Sequence, residues 1–123
     1  MRLLLDTHIL LWWLNDHPAL SKQTRTLIQH PDNTIIISTV TAWEITIKKS
    51  LGKLEAPDNL EEAVRASGFE ILPIHFCHAL AVGQLPRYHD DPFDRLLIAQ
   101  ATVEHLFLVT QDEQFEQYDV GIL

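Results

Sequence analysis

Apolar residues in this chain fall into two patterns: short unbroken runs, and longer stretches where they recur every three or four positions. The runs "RLLL" (2–5), "TIIIS" (34–38), "FEILPI" (69–74) and "LFLVT" (106–110) have strand length. Continuous apolar runs without polar alternation suit strands buried on both faces. Helices are expected between them. They cover "HILLWWLND" (8–16), "LSKQTRTLIQ" (20–29, with Ser21 or Pro18 near its start), Thr39 or Thr41 to Leu51, "PDNLEEAVRAS" (57–67), "HFCHALAVGQL" (75–85) and Pro92 to about His105. Asp58 is a plausible N-cap, and Gly52 and Gly68 are stops. "HPDN" and "PRYHD" read as breaks, "DEQFEQ" (112–117) as a helical turn, and "YDVGIL" as a further edge strand. Alternating strands and helices predict an α/β fold. Its central sheet is mostly parallel, has four to five strands, and carries helices on both faces. No repeat, low-complexity tract or linker divides the chain, so residues 1–123 read as one domain.

Composition narrows the functional classes. With 17 acids against 9 bases the net charge is −8, which argues against a general nucleic-acid binder with a basic face. It leaves room for an enzyme whose acids hold cations, because bound metal reverses the local field. Cys77 is the single cysteine, so no intrachain disulfide forms, and a reducing compartment, the cytoplasm, is expected. The apolar N-terminal stretch is interrupted by Asp6 and His8 and lacks a small-residue cleavage site, so it reads as folded structure. No apolar run is long enough to span a bilayer, and no membrane association is expected.

The acids then become informative. Ligands of open α/β sheets bind outside the carboxyl ends of the strands. Asp6 directly follows the first strand, Glu44 lies in the helix after the second, Asp94 opens the helix leading into the last, and Asp112 follows that strand by two residues. Each has an ordinary explanation. Asp91, Pro92 and Asp94 resemble an N-cap, N1 and N3, and Asp91 can pair with Arg95 four residues on. Asp6 and Asp112 can cap helices, although a cap between two apolar runs costs desolvation unless partners are present. Glu44 can pair with Lys48 on a solvated face. These readings do not account for four acids at one end of one sheet. Gathered carboxylates repel one another unless some bind protons or a cation intervenes. An oxygen-only donor set favours Mg²⁺ or Mn²⁺ over zinc. Phosphodiester hydrolysis is the reaction such a site suits best.

Four segments resemble the acidic blocks of PIN domains: "LLLDTHILLWWL" (3–14), "STVTAWEITIKKSLGKL" (38–54), "HDDPFDRLLIAQA" (89–101) and "LVTQDEQF" (108–115). More narrowly, they resemble VapC-type toxins of type II toxin–antitoxin systems, in the family's order and over nearly the whole chain. The resemblance implies a three-layer PIN-like fold and a Mg²⁺- or Mn²⁺-dependent ribonuclease acting on RNA. It also implies a homodimer silenced by a cognate antitoxin. The four family acids fall on Asp6, Glu44, Asp94 and Asp112. Thr7, Ser38 and Thr110 fall where the family places small polar groups around the metals. Asp91 is an extra acid with a supporting role, and Arg95 orients a carboxylate, contacts RNA or forms a surface ion pair.

Other readings compete. A receiver-like phosphoacceptor domain shares the length, the sheet and an acidic Mg²⁺ pocket. It normally needs an acidic pair after the first strand and a late lysine, and here all four lysines lie between Lys22 and Lys53. A zinc protein would use His75, Cys77 and His78, but no second cluster completes four ligands; Cys77 reads as buried packing. A catalytically silent PIN-fold binding module would retain the same acids. Lys48, Lys49 and Lys53 form the densest basic cluster, either toward RNA or as a solvated helix end. Trp12 and Trp13 sit back to back, so one is expected to face a partner unless both pack within the chain.

Overall fold

The apolar runs become strands because parallel pairing buries them between two helical layers. The computed structural model describes residues Met1–Leu123. In chain order the elements are β1 (Arg2–Leu5), α1 (Thr7–Leu14), α2 (Lys22–Gln29), β2 (Thr34–Ser38), α3 (Thr39–Ser50), α4 (Leu60–Ala66), β3 (Glu70–Leu72), α5 (Phe76–Val82), α6 (Pro92–Val103) and β4 (Phe107–Val109). A 3₁₀ turn over Glu113–Gln117 follows. All three strand pairings are parallel, in the order β3-β2-β1-β4.

Side-chain alternation along the strands divides the core in two. Leu3, Leu5, Ile35 and Ile37 pack with Ile9, Leu10, Ile28 and Val64 from α1, α2 and α4. Leu4 and Ile36 face the other way, onto Leu97, Ile98 and Ala101 of α6 and onto Phe115. This is the expected three-layer α/β architecture. No helix is long and apolar enough to cross a membrane.

Three local expectations are corrected. The segment "YDVGIL" makes only an isolated parallel bridge, Leu108 to Ile122, so the sheet has four strands. Gly121 allows this contact, since a Cβ there would lie 2.6 Å from Cδ1 of Phe107. The fourth helix begins at Leu60, with Asn59 at its N-cap position, and Asp58 caps nothing. Instead Lys49 binds Asp58 at 2.5 Å, and that bond holds the carboxyl below its ordinary range. Cys77 is exposed rather than packed inside, whereas His78 is fully buried between the backbone of His75, Gln100 and Glu104.

The chain walks outward from β1 to β2 to β3, then returns to place β4 on the other flank of β1. Strand order therefore reverses between β1 and β4. The carboxyl ends of those two strands flank the crevice where α/β sheets bind ligands.

Candidate active site

Asp6 occupies that crevice. It is the first residue past β1 and the N-cap of α1, and its Oδ1 accepts a hydrogen bond from the Ile9 amide at 2.9 Å. Its Oδ2 accepts one from the Thr110 hydroxyl at 2.5 Å, across the strand switch. The residue is only 5% exposed. Burial raises its pKa, and the bonds from Thr110 and Ile9 oppose that rise. The reservation about an apolar cap site is thus answered: Asp6 does cap the helix, and two donors accompany it. Thr110 also accepts from the Asp112 amide at 3.0 Å, so one hydroxyl ties the end of β4 to both acids. Asp112 itself is exposed and caps the 3₁₀ turn through the Gln114 amide at 2.9 Å.

Glu44 projects from α3 into the interior and is 3% exposed, not on a solvated face. Its Oε1 accepts from the Thr7 hydroxyl at 2.5 Å, and its Oε2 from the Lys48 ammonium at 2.5 Å. The Glu44–Lys48 pair forms as the spacing predicts, but with one partner buried. Lys48 has a raised pKa, mainly through that hydrogen bond, with further contributions from the charges of Glu44, Asp91 and Asp94. Thr41, one turn earlier on the same helix, carries the one buried side-chain oxygen without a partner.

Asp91 caps α6: its Oδ1 accepts from the amides of Phe93 and Asp94 at 2.9 and 3.0 Å. Capping fixes the first turn and so aims Asp94. No strong donor meets Asp94; its nearest is His89 Nε2, 3.4 Å from Oδ2. Its pKa is raised to about 7, first by desolvation, then by the charges of Asp91, Glu44, Asp6 and Asp112. Those contributions report a shared field: the acids of four separate segments raise the cost of ionising Asp94.

Two expected site residues face elsewhere. Ser38 caps α3 through the Val40 amide and donates to Gln100 Oε1 at 2.5 Å, which joins α3 to α6. Arg95 forms no pair with Asp91. It is buried, and its guanidinium donates to the carbonyls of Pro86 (2.8 Å), Val82 (3.3 Å) and Leu85 (3.4 Å) and to Tyr118 Oη (3.2 Å). It therefore holds the loop that carries His89. His89 was not singled out from sequence, although it lies within the third acidic block. Its Nδ1 lies 2.7 Å from Tyr118 Oη, which orients the other ring nitrogen toward Asp94. His8 was missed too; with Asp6, Ile9, Trp12, Gln111 and Asp112 it lines a cleft of about 160 Å³. Trp12 and Trp13 are both half-buried against the core within the chain, Trp12 between the rings of His8 and His17 and Trp13 toward Phe69 and Ser67.

The donor set is of the kind a hard divalent cation takes, although no three of its side chains converge into a ready ligand group. It consists of carboxylates, with free lone pairs on Asp94, on Asp91 Oδ2 and on Asp112 Oδ2, and its crowding is what a cation would relieve. A parallel three-layer sheet with acids around its switch point defines the class, and sequence comparison supplies the family. The PIN domain model matches residues 3–121, and the chain belongs to that family. Comparison with curated proteins gives no match. Among solved structures, the chain is similar to VapBC2 from Rickettsia felis bound to a promoter DNA fragment, with 21% identity, a TM-score of 0.72, and 100% of this chain and 98% of that one covered. It is also similar to DNA-bound VapBC from Salmonella typhimurium (20% identity, TM-score 0.69, 100% and 97% covered). FitAcB from Neisseria gonorrhoeae is a third (20% identity, TM-score 0.67, 98% and 96% covered).

Proposed function

We propose that this chain is a VapC-like toxin: a Mg²⁺- or Mn²⁺-dependent ribonuclease that hydrolyses RNA phosphodiester bonds. The observation that carries the reading is the setting of Asp94, whose pKa is pushed up to about 7 first by burial and then by the charges of four other carboxylates. Such crowding is relieved by a proton on Asp94 or by a cation, and perturbed carboxyls gathered in a cleft favour a functional site.

Asp6, Glu44 and Asp94 would hold the ion, with Asp112 at the exposed rim. A divalent cation bound there supplies charge stabilisation at the scissile phosphate and a more acidic water. The chain's own residues do the positioning. Thr110 and the Ile9 amide fix both oxygens of Asp6, and Thr7 fixes Glu44. Asp91 orders the turn that presents Asp94, and His89 approaches Asp94 from the loop secured by Arg95. No side-chain nucleophile is needed, because the attacking group is water. The negative chain must also approach a polyanion, and cations in the pocket offset that repulsion.

An antitoxin partner is part of this reading, supported by PIN membership and by structural neighbours named as VapBC complexes. Homodimerisation in the cytoplasm belongs to the same reading.

The test is RNA cleavage by the chain purified free of any partner, with Mg²⁺, with Mn²⁺ and with EDTA. Cleavage is expected with either metal and is abolished by EDTA. Asp6→Asn and Asp94→Asn each lose more than about 100-fold, since even residues behind a metal's ligands cost ~10–100-fold. Cleavage that survives EDTA or either substitution would contradict the proposal.

A further inference from the structure

Lys48 brings a positive charge into a pocket otherwise lined by carboxylates. Its Nζ lies 2.5 Å from Glu44 Oε2 and 5.9 Å from the centre of the Phe93 ring. The pair is asymmetric: the Glu44 side chain is 4% exposed and that of Lys48 is 32% exposed. The carboxylate is thus fixed in the interior, while the ammonium reaches it from a partly open side on a flexible stem. Thr7 occupies the other oxygen of Glu44, so both oxygens already have donors from the chain.

A neutral donor and a cationic one differ in what they allow. Each carboxylate oxygen has a second lone pair, so the Thr7 hydrogen bond is compatible with a metal on the same group. An ammonium on Oε2 is not comparable, because it repels a divalent ion entering beside it. Withdrawing it from a metal-free pocket has its own cost, since Glu44 would then be a buried charge without its counter-ion.

We propose that Lys48 is a built-in counter-cation of the acidic pocket: its ammonium neutralises Glu44 in the metal-free chain and is displaced when a divalent cation enters. Lys48 is then a positioning residue that stabilises the empty site and weakens metal binding at the same time. The inference rests on the divalent-cation reading above, and it deepens that reading by naming what the ion competes with.

The test needs no RNA. In the intact chain, Lys48→Met keeps the length and removes the charge, and Lys48→Arg keeps the charge. Mn²⁺ affinity is measured by titration calorimetry, and the melting temperature in EDTA. Lys48→Met is expected to melt several degrees lower in EDTA and to bind Mn²⁺ on the order of tenfold more tightly. Lys48→Arg is expected to stay near the unsubstituted chain in both. A purely structural lysine would lower the melting temperature without tightening Mn²⁺ binding, and that result would overturn the proposal. Should Lys48→Met not fold, the unsubstituted chain still decides. By NMR of its lysine ammonium groups, the Lys48 signal is expected to move to the position of a solvated lysine as Mg²⁺ saturates. A Lys48 signal unchanged at saturation would overturn displacement while leaving the metal centre standing. Failure of the unsubstituted chain to bind either ion would overturn both.

Discussion

At the scale of single residues, Asp94 is the side chain whose state decides the site's. Burial and, after it, four neighbouring carboxylates act on it, and no strong donor offsets them, so its folded pKa of about 7 lies well above the unfolded value of about 4. A carboxyl that holds its proton more tightly when folded stabilises the fold fully below its unfolded pKa. That contribution is lost as pH rises through the folded pKa. In EDTA, then, the chain should lose stability between pH 5 and pH 8, by on the order of a few kcal/mol from this group. Denaturant titrations of the chain and of Asp94→Asn test this, with a clearly shallower loss expected in the variant. Equal loss in both would mean that Asp94 is not the responsible group. Two readings at this scale were legible in sequence: Asp91 as cap and Lys48 as the partner of Glu44. Arg95 was not. Spacing offered Asp91 as its partner, but the loop around Leu85 and Pro86 folds back over α6 and provides carbonyls that no local pattern announces.

At the scale of elements, the site depends on how helices begin. Asp6, Ser38, Asp91 and Asp112 each cap the element that follows, and for Asp6, Ser38 and Asp112 that helix start is also the carboxyl end of a strand. Capping and chemistry are therefore not rival explanations of Asp6. Asp91→Ala removes the acceptor for two amides and should destabilise the chain by about 1 kcal/mol. Arg95→Met should cost more, on the order of 3 kcal/mol, because it leaves several carbonyls and a tyrosine hydroxyl without their charged donor. Thermal or denaturant unfolding ranks the two; the opposite order would contradict the assignment of Arg95 to holding the loop. Strands and most helices were readable because their apolar spacing mirrors the two-sided core. The fourth helix was misplaced at its start because Asp58 has the chemistry of a cap. Lys49 claims it from a neighbouring helix, a tertiary pairing outside the reach of a local rule.

At the scale of the whole molecule, topology does what no single element can. Side chains separated by more than a hundred positions meet because β4 returns beside β1, and the Thr110–Asp6 hydrogen bond spans that switch. The alternation of strands and helices was enough to predict the three layers and the parallel sheet. It did not show that the site's donors would be so thoroughly used by the chain itself, because Thr7, Thr110 and Lys48 find their acids only after folding. In a chain of net charge −8, five of the acids act on one another around Asp94, and that pocket is, on the proposed reading, a cation site. The most direct measurement of that claim is an anomalous difference map from crystals of the chain soaked in Mn²⁺. The account predicts a peak bounded by the carboxylates of Asp6, Glu44 and Asp94. A fully soaked crystal with no peak there, or with its only peak at another surface, would contradict it.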